Sequence, residues 1–418
     1  MICSFSAENF KAFGDRIDVD FFANGNIKRF DYNCVDVKEK KLLKSIGFYG
    51  PNNTGKTCIL LALSHIRALM LNEVHYNMVN SFANKGPVTY FKIEYFINES
   101  FYVYEVRYDN HNHVYLNEKL IRRFYDEIQH ANKRDEVLIE RTLNQIKGIF
   151  VPKNTNNQLT ANFPVMLMIN YSDQTDFVKA QADYIKFAKS LILLLMDRPL
   201  DITKTITLMN TNKKAKAFIQ EFVKNCDVNI EDFNTSESLI TDVDINENLQ
   251  MVLRDPAFPR EALKINSKHN GLTVPSIFFD SNGTLKIMAL AGYIYDALAN
   301  GYILMVDEID SSLHHLITRA IIAMFNNMLN TKAQLLFTTH DTLLMDLRTL
   351  FRKDQIWLTD LADKCNSKLT RLSSFTSRDE DGIRGDEDIV EYYLKGRFGS
   401  VPTPDLFTAL EGAVNNEW

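Results

Sequence analysis

Gly50-Pro51-Asn52-Asn53-Thr54-Gly55-Lys56-Thr57 is a complete G-x-x-x-x-G-K-[ST] segment. Two glycines bounding a loop that ends in a lysine and a hydroxyl are the residue types that hold a polyphosphate. Backbone N–H groups converge on the anion, Lys56 would reach the β- and γ-phosphates, and Thr57 would ligate Mg²⁺. The flanks suit that chemistry. Ile46-Gly47-Phe48-Tyr49 reads as a short buried strand, and Ile59, Leu60, Leu63, Ile66, Leu69 and Met70 recur at helical spacing. A strand that delivers the loop to a helix start adds the positive helix end to the anion site. ATP with Mg²⁺ is the expected ligand, held by Gly50, Asn52, Asn53, Thr54, Gly55, Lys56, Thr57 and Cys58.

A second constellation lies far downstream. Tyr302-Ile303-Leu304-Met305-Val306 is a β-rich apolar run that delivers Asp307 and Glu308 to its carboxyl end, where ligands of α/β sheets sit. Asp307 is expected to hold Mg²⁺ through its waters. Glu308, pointing the other way along the pleat, is expected to polarise the attacking water as general base. His340 closes the next apolar run, Leu335-Leu336-Phe337-Thr338-Thr339, where a histidine can reach and report a γ-phosphate. Asp280-Ser281-Asn282-Gly283-Thr284 stands before the helical pattern Leu285 to Leu298. Ser281 and Asn282 are good N-cap residues, and Gly283 lets a phosphate approach the backbone.

These motifs need elements to position them. Ile17, Val19 and Phe21 alternate with Asp18 and Asp20, so residues 1–25 read as two strands around a turn. Tyr90–Ile97 and Phe101–Tyr108, separated by Asn98-Glu99-Ser100, read as a hairpin, with a third strand from His113 to Leu120. Strands before and after the loop's helix predict a mixed sheet. Residues 121–270 change character: Phe177–Met196 and Lys213–Asn225 favour helix, and asparagine links run from Asn154 to Asn162 and Asn246 to Asn248. This predicts a mainly helical insertion without the sustained heptads of a long coiled coil. The fold class expected is an α/β P-loop NTPase with a mixed sheet flanked by helices. Residues 1–120 would form the first part of the head, 121–270 the insertion or short arm, and 271–418 the second part of the head.

Composition bounds the function classes. The 418 residues have an ordinary apolar content. Cys3, Cys34, Cys58, Cys226 and Cys365 show no paired spacing, which argues for a reducing compartment and against zinc. Met1 leads directly into a strand-like segment, and the longest central apolar run, Leu191–Met196, is far short of a membrane span. The expected location is the cytoplasm. A net charge of −6 supplies no global attraction to nucleic acid. Lys38, Lys40, Lys41 and Lys44 read as solvated decoration of a strand edge. The acidic stretch Ser377–Asp388 reads as a solvated loop, not a metal site.

The order of the motifs is phosphate loop, long insertion, serine-glycine helix start, Asp-Glu strand, the small-residue loop Ser311-Ser312-Leu313-His314, then histidine after a strand. That is the order of ABC-type ATPases, in which a signature helix of one subunit caps the γ-phosphate held by the other.

The chain also resembles a known group. Asn9-Phe10-Lys11-Ala12-Phe13 is similar to the opening strand motif of RecF, SMC and OLD-type ATPases. Ser281-Asn282-Gly283-Thr284, Asp307–His314, Phe337–Asp341 and the late segment Tyr393–Pro402 together resemble the AbiL-like abortive-infection ATP-binding proteins, ATPase subunits of bacterial anti-phage systems. The resemblance spans both ends of the chain and is weakest over the insertion. It implies an ABC/SMC-type head encoded beside an effector gene. Lys11 would approach the nucleotide, and Ser281 and Gly283 would act in trans across a homodimer or higher assembly. Glu308, Lys56 and His340 would carry catalysis. Two departures stand out: no glutamine occupies an obvious glutamine-loop position, and His314 replaces the usual ABC aspartate, as is normal for the resembled group. Two other readings stay open, a RecF-like DNA-binding ATPase and an OLD-like nuclease. Net charge counts against the first, and the short stretch after His340 counts against the second. No membrane partner is expected, and the L-S-G-G-Q signature of transporters is absent.

Overall fold

Strands that alternate in polarity and strands that are apolar throughout separate into two sheets. The computed structural model describes residues 1–73, 78–125, 135–142, 145–151, 160–169, 174–226, 229–236, 263–363, 366–375, 389–399 and 401. The acidic stretch Ser377–Asp388, the link Asn246–Asn248, most of the link Asn154–Asn162, Cys365, and Ser400 and Pro402 lie outside the described residues.

The chain begins with β1 (Ile2–Glu8) and β2 (Ile17–Asp20), then β3 (Cys34–Val37) and β4 (Lys40–Leu43), then β5 (Ser45–Tyr49) and α1 (Lys56–Leu71). A meander follows: β6 (Val88–Ile97), β7 (Ser100–Asp109), β8 (Val114–Arg123), β9 (Glu136–Thr142) and β10 (Gln145–Lys147). Next come α2 (Val165–Met168), α3 (Thr175–Ser190), β11 (Leu191–Leu195), α4 (Thr203–Thr211) and α5 (Lys213–Lys224). β12 (Asp232–Thr235), β13 (Ile265–His269) and β14 (Leu272–Pro275) lead into α6 (Ser276–Phe279) and α7 (Asn282–Asn300). The last elements are β15 (Ile303–Asp307), α8 (His315–Asn326), β16 (Gln334–Thr338), β17 (Ile356–Leu361), β18 (Ser367–Arg371) and α9 (Ile389–Leu394).

One sheet is antiparallel throughout, in the order β10-β9-β8-β7-β6-β1-β2. The other runs β11-β15-β16-β5-β17-β18 and is parallel except for the β17–β18 pair. The expected mixed sheet is this second one. The N-terminal strands and the β6–β8 meander, expected beside it, form the separate antiparallel layer. The β6–β7 turn is tighter than expected, because Ser100 already pairs with Ile97 and the turn is Asn98-Glu99 alone. Both turn residues have positive φ, 45° and 63°, the conformation of a twisted two-residue hairpin.

Residues of the parallel sheet alternate between two cores. Ile46, Phe48, Ile303, Met305 and Leu336 join the core that includes α1 and the antiparallel sheet. Leu304, Val306, Leu335 and Phe337 join the core formed with α4, α5, α7 and α8. Strands covered on both faces read as continuous apolar runs. That explains one correction. Leu191–Leu195, expected to continue a helix through Met196, is the edge strand beside β15, with Leu191 opposite Ile303 and Leu195 opposite Asp307. Leu191 enters one core and Leu194 the other, which five successive apolar residues achieve only as a strand. Within 121–270, α3, α4 and α5 are helical as expected, whereas β9 and β10 lengthen the antiparallel sheet and β11 belongs to the parallel one.

The lysine cluster is also corrected at one position. Lys44 is buried, and its Nζ donates to the carbonyls of Tyr32 (2.6 Å) and Asn327 (2.9 Å), so it ties the link between β4 and β5 to two other segments. Gln334 does similar work between the sheets. Fully buried, its side chain accepts from the Ile2 N–H (2.6 Å) and donates to the carbonyls of Ile2 (3.1 Å) and Leu43 (2.9 Å). Leucine at this position fits the volume but leaves buried backbone groups unpaired. Gln334→Leu is expected to lower stability by about 2–3 kcal/mol, read as the shift of the urea unfolding midpoint. A change below about 0.5 kcal/mol would show that these groups find other partners.

Candidate functional site

The phosphate loop leaves the central strand β5 and enters α1. Gly50 has φ +148°, and a Cβ there would lie 2.3 Å from the Thr359 carbonyl oxygen, so only glycine fits. Gly55 has φ +94°, and a Cβ there would meet the Phe13 ring at 2.9 Å and the Ala12 methyl at 3.0 Å. Thr359 of β17 braces the loop: its Oγ1 donates to the Tyr49 carbonyl (3.2 Å) and lies 2.7 Å from Thr54 Oγ1. Thr54 in turn donates to the Pro51 carbonyl (2.8 Å). Gly55 caps α1 with no side-chain bond. The first N–H groups of α1 thus face the loop uncapped, as an anion site requires. Lys56 is buried and donates to the carbonyls of Gly50 and Pro51, both at 2.8 Å. Burial lowers its pKa to about 8, against the opposing pull of Asp307, Glu308 and Asp310.

The acidic residues arrive from two strands over. Asp307 ends β15, buried, and Thr338 of β16 donates to its Oδ1 (2.6 Å). The Glu308 N–H donates to the same Thr338 hydroxyl oxygen (2.8 Å). Glu308 is not part of the pleat, contrary to expectation. Its φ is 52°, so a left-handed turn after the strand, held by Thr338, sets its direction. Asp310 adds a further carboxylate, whose Oδ1 is buried without a hydrogen bond. His340 stands past β16 with its ring partly open to solvent, and partial desolvation of the ring first, then the Lys56 cation, push its pKa below the usual imidazole value. Asp310, Glu308 and Asp307 oppose that shift. Lys56, His340 and the three carboxylates therefore share one electrostatic field.

The N-terminal motif also comes to this place. Lys11 has φ 46°, its charge lowers the pKa of the Cys58 thiol, and the Ala12 backbone hydrogen-bonds that thiol. Burial nonetheless raises the pKa of the Cys58 thiol in the first turn of α1, which disfavours the reactive thiolate. Ser281 and Gly283 lie elsewhere on the chain's own surface. Ser281 caps α7, its Oγ accepting from the Thr284 N–H (3.1 Å). A Cβ on Gly283 would lie 2.6 Å from the Ser312 carbonyl oxygen, so α7 starts against the small-residue loop. His314 caps α8, its Nδ1 accepting from the Leu316 N–H (3.3 Å).

Three contributors escaped the sequence reading: Thr338, Thr359 and Asp310. Thr338 stood inside a quoted motif, but nothing in its spacing shows that one hydroxyl serves two neighbouring acidic positions. Mg²⁺ suits this arrangement. Among the described residues no three His, Cys, Asp or Glu side chains form a preformed metal cage. Asp307 and Thr57 are the residues that would hold the ion, with substrate phosphates completing its ligands.

The protein-family model described as "AAA domain, putative AbiEii toxin, Type IV TA system" matches residues 45–346. No curated protein matches the chain. Among solved structures it is similar to an SMC head bound to the C-winged helix domain of ScpA, with 12% identity over 88% of this chain and 97% of that one, at a TM-score of 0.48. The SMC head domain from Thermotoga maritima gives 12% identity, 88% and 98% coverage and a TM-score of 0.41. An Smc head with an extended coiled coil, bound to the C-terminal domain of ScpA derived from Pyrococcus furiosus, gives 11%, 88%, 95% and 0.44.

The low Lys56 pKa has a consequence for anion binding. A phosphate favours the charged lysine, so binding takes up a proton once pH exceeds the free value of about 8. ATP affinity should be level below that pH and fall above it by about tenfold per pH unit. Fluorescent-nucleotide titrations with Mg²⁺ across that range check this, and Lys56→Ala should abolish binding at every pH. Unchanged affinity in Lys56→Ala would show that the loop is only a turn.

Proposed function

The chain belongs to this AAA-domain family, and from that premise we propose that it is an ATPase subunit that dimerises around two ATP molecules and controls a partner effector in anti-phage defence. The observation that carries the ATPase reading is the convergence of Lys56, Asp307, Glu308 and His340 on the loop before α1. The defence setting is supported by the family's description, which names a "putative AbiEii toxin" and a "Type IV TA system", together with the resemblance to abortive-infection ATPases.

In the proposed reaction Lys56 leaves the Gly50 and Pro51 carbonyls and turns to the β- and γ-phosphates. Bound Mg²⁺ supplies charge neutralisation on those phosphates. Glu308 takes a proton from the water whose oxygen forms the new bond to the γ-phosphorus, while the bond from that phosphorus to the bridging oxygen of ADP breaks. Thr338 keeps Asp307 and Glu308 in fixed relation during the transfer. His340, uncharged near neutral pH because its pKa is lowered, donates a hydrogen bond to the γ-phosphate and reports its loss. Lys11 approaches from the N-terminal turn. Ser281 and Gly283 of a second copy present the start of α7 to the same phosphate, so the site is complete only across a dimer. The effector would sit on the region 121–270 and change state when the heads open. With a net charge of −6, DNA is not the proposed partner.

Glu308→Gln should retain ATP but lose the base, trapping the nucleotide-sandwiched dimer. Light scattering is expected to show more dimer with ATP than without, and Ser281→Arg should undo this by blocking the γ-phosphate's approach. Hydrolysis at the wild-type rate in Glu308→Gln would assign the base to another residue. The effector model has its own test. Expressed alone in a host without the neighbouring gene, the chain should give no protection against phage, and full protection would refute a separate effector.

A further inference from the structure

The hairpin β13–β14 closes with Asn270-Gly271, whose φ values are 49° and 83°, the two-residue turn that suits twisted strands. His269 stands immediately before it, opposite Leu272. From there its ring reaches Asp280, the residue before Ser281. The Asp280 side chain is almost fully buried. Its Oδ2 accepts from Ser267 Oγ (2.6 Å), and its Oδ1 lies 3.0 Å from His269 Nε2. The same Nε2 is 3.1 Å from Ser267 Oγ, and Nδ1 is 3.0 Å from the Asn229 carbonyl oxygen. One ring nitrogen thus faces the Asp280 carboxylate and the other the Asn229 carbonyl, so the ring spans the gap between the two segments. A ring used in this way is a strut with two anchored ends.

What the strut supports is the beginning of α7. The Asp280 N–H donates to the Ser276 carbonyl (2.8 Å) and closes α6. The chain then extends through Ser281 (ψ 157°) into α7. On its other side the first turns of α7 are fastened to the small-residue loop. Gly283 abuts the Ser312 carbonyl, and Lys286 Nζ donates to Ser312 Oγ (3.1 Å) and to the Met196 carbonyl. The N-terminus of α7 is thus held between the loop after β15 and the three-stranded sheet β12–β14.

We infer that His269 is a positioning residue: through Asp280 it couples the β12–β14 sheet to the placement of Ser281 and Gly283. The inference rests on the proposed role of those two residues as the cap of a second copy's γ-phosphate. It gives the region 121–270 a physical route to the ATP site, because β13 carries Ser267 and His269, both within hydrogen-bond distance of the Asp280 carboxylate.

The experiment compares wild type, His269→Ala and His269→Gln in the full-length chain. Glutamine keeps a donor toward Asp280 and gives up the one toward Asn229. Without nucleotide, amide hydrogen exchange at residues 282–286 should quicken about tenfold in His269→Ala and less in His269→Gln. With ATP and Mg²⁺, His269→Ala should keep wild-type nucleotide affinity but lose about tenfold in kcat, and His269→Gln should recover most of it. Exchange at 282–286 unchanged in both variants overturns the inference whatever the hydrolysis rates. So does a loss of nucleotide affinity equal to the loss of rate. If exchange changes as expected but wild type neither hydrolyses ATP nor dimerises, the coupling stands and the trans-cap reading fails.

Discussion

The parallel pairing of β16 with β5 on one side and β15 on the other is the constraint from which the site follows. Thr338 lies opposite Phe48 and Val306 lies opposite Phe337, so the three strands end at the same edge. Gly50, Glu308 and His340 all leave that edge within two residues of a strand end. Three segments far apart in sequence are thereby brought to one place without any direct attraction between their polar ends. The pairing itself is supported by apolar burial on both faces of the sheet, with α1 on one side and α7 and α8 on the other.

Electrostatics then adjusts what topology assembles. A buried lysine is disfavoured as a cation, and here burial lowers the Lys56 pKa to about 8 against the opposing pull of Asp307, Glu308 and Asp310. The loop's own carbonyls hold it in place meanwhile. The carboxylates and the lysine depend on one another: the acids keep Lys56 charged, and its charge in turn helps keep His340 neutral. Thr338 contributes no charge but sets the geometry, since one hydroxyl donates to Asp307 and accepts from the Glu308 backbone.

The start of α7 obeys a different constraint. Its cap is local, from Ser281 to Thr284, but its position depends on contacts from both flanks, the Ser312 carbonyl and the buried Asp280. In the proposed dimer this N-terminus faces a phosphate on another molecule, a task that asks for more restraint than its own cap gives. Packing against the small-residue loop and the His269 strut supplies the missing restraint.

The phosphate loop, the helix after it, the cap of α7 and the Asp-Glu strand end were legible from residue order, because each depends on local spacing: glycine conformation, helical period, an N-cap hydroxyl, an apolar run ended by acids. The family resemblance was legible for the same reason. Local spacing failed at Leu191–Leu195, whose apolar run suits a helix or a strand equally and was decided by an open edge beside β15. It failed at Glu308, where a left-handed turn replaced the alternation of a strand, and at Lys44, a polar residue drawn into the interior by two distant carbonyls. The sequence by itself determined which groups could handle a nucleotide. Only the tertiary structure decided which hydroxyls and carboxylates stand beside them, because Thr338, Thr359 and Asp280 act through contacts with segments that chain order does not place nearby.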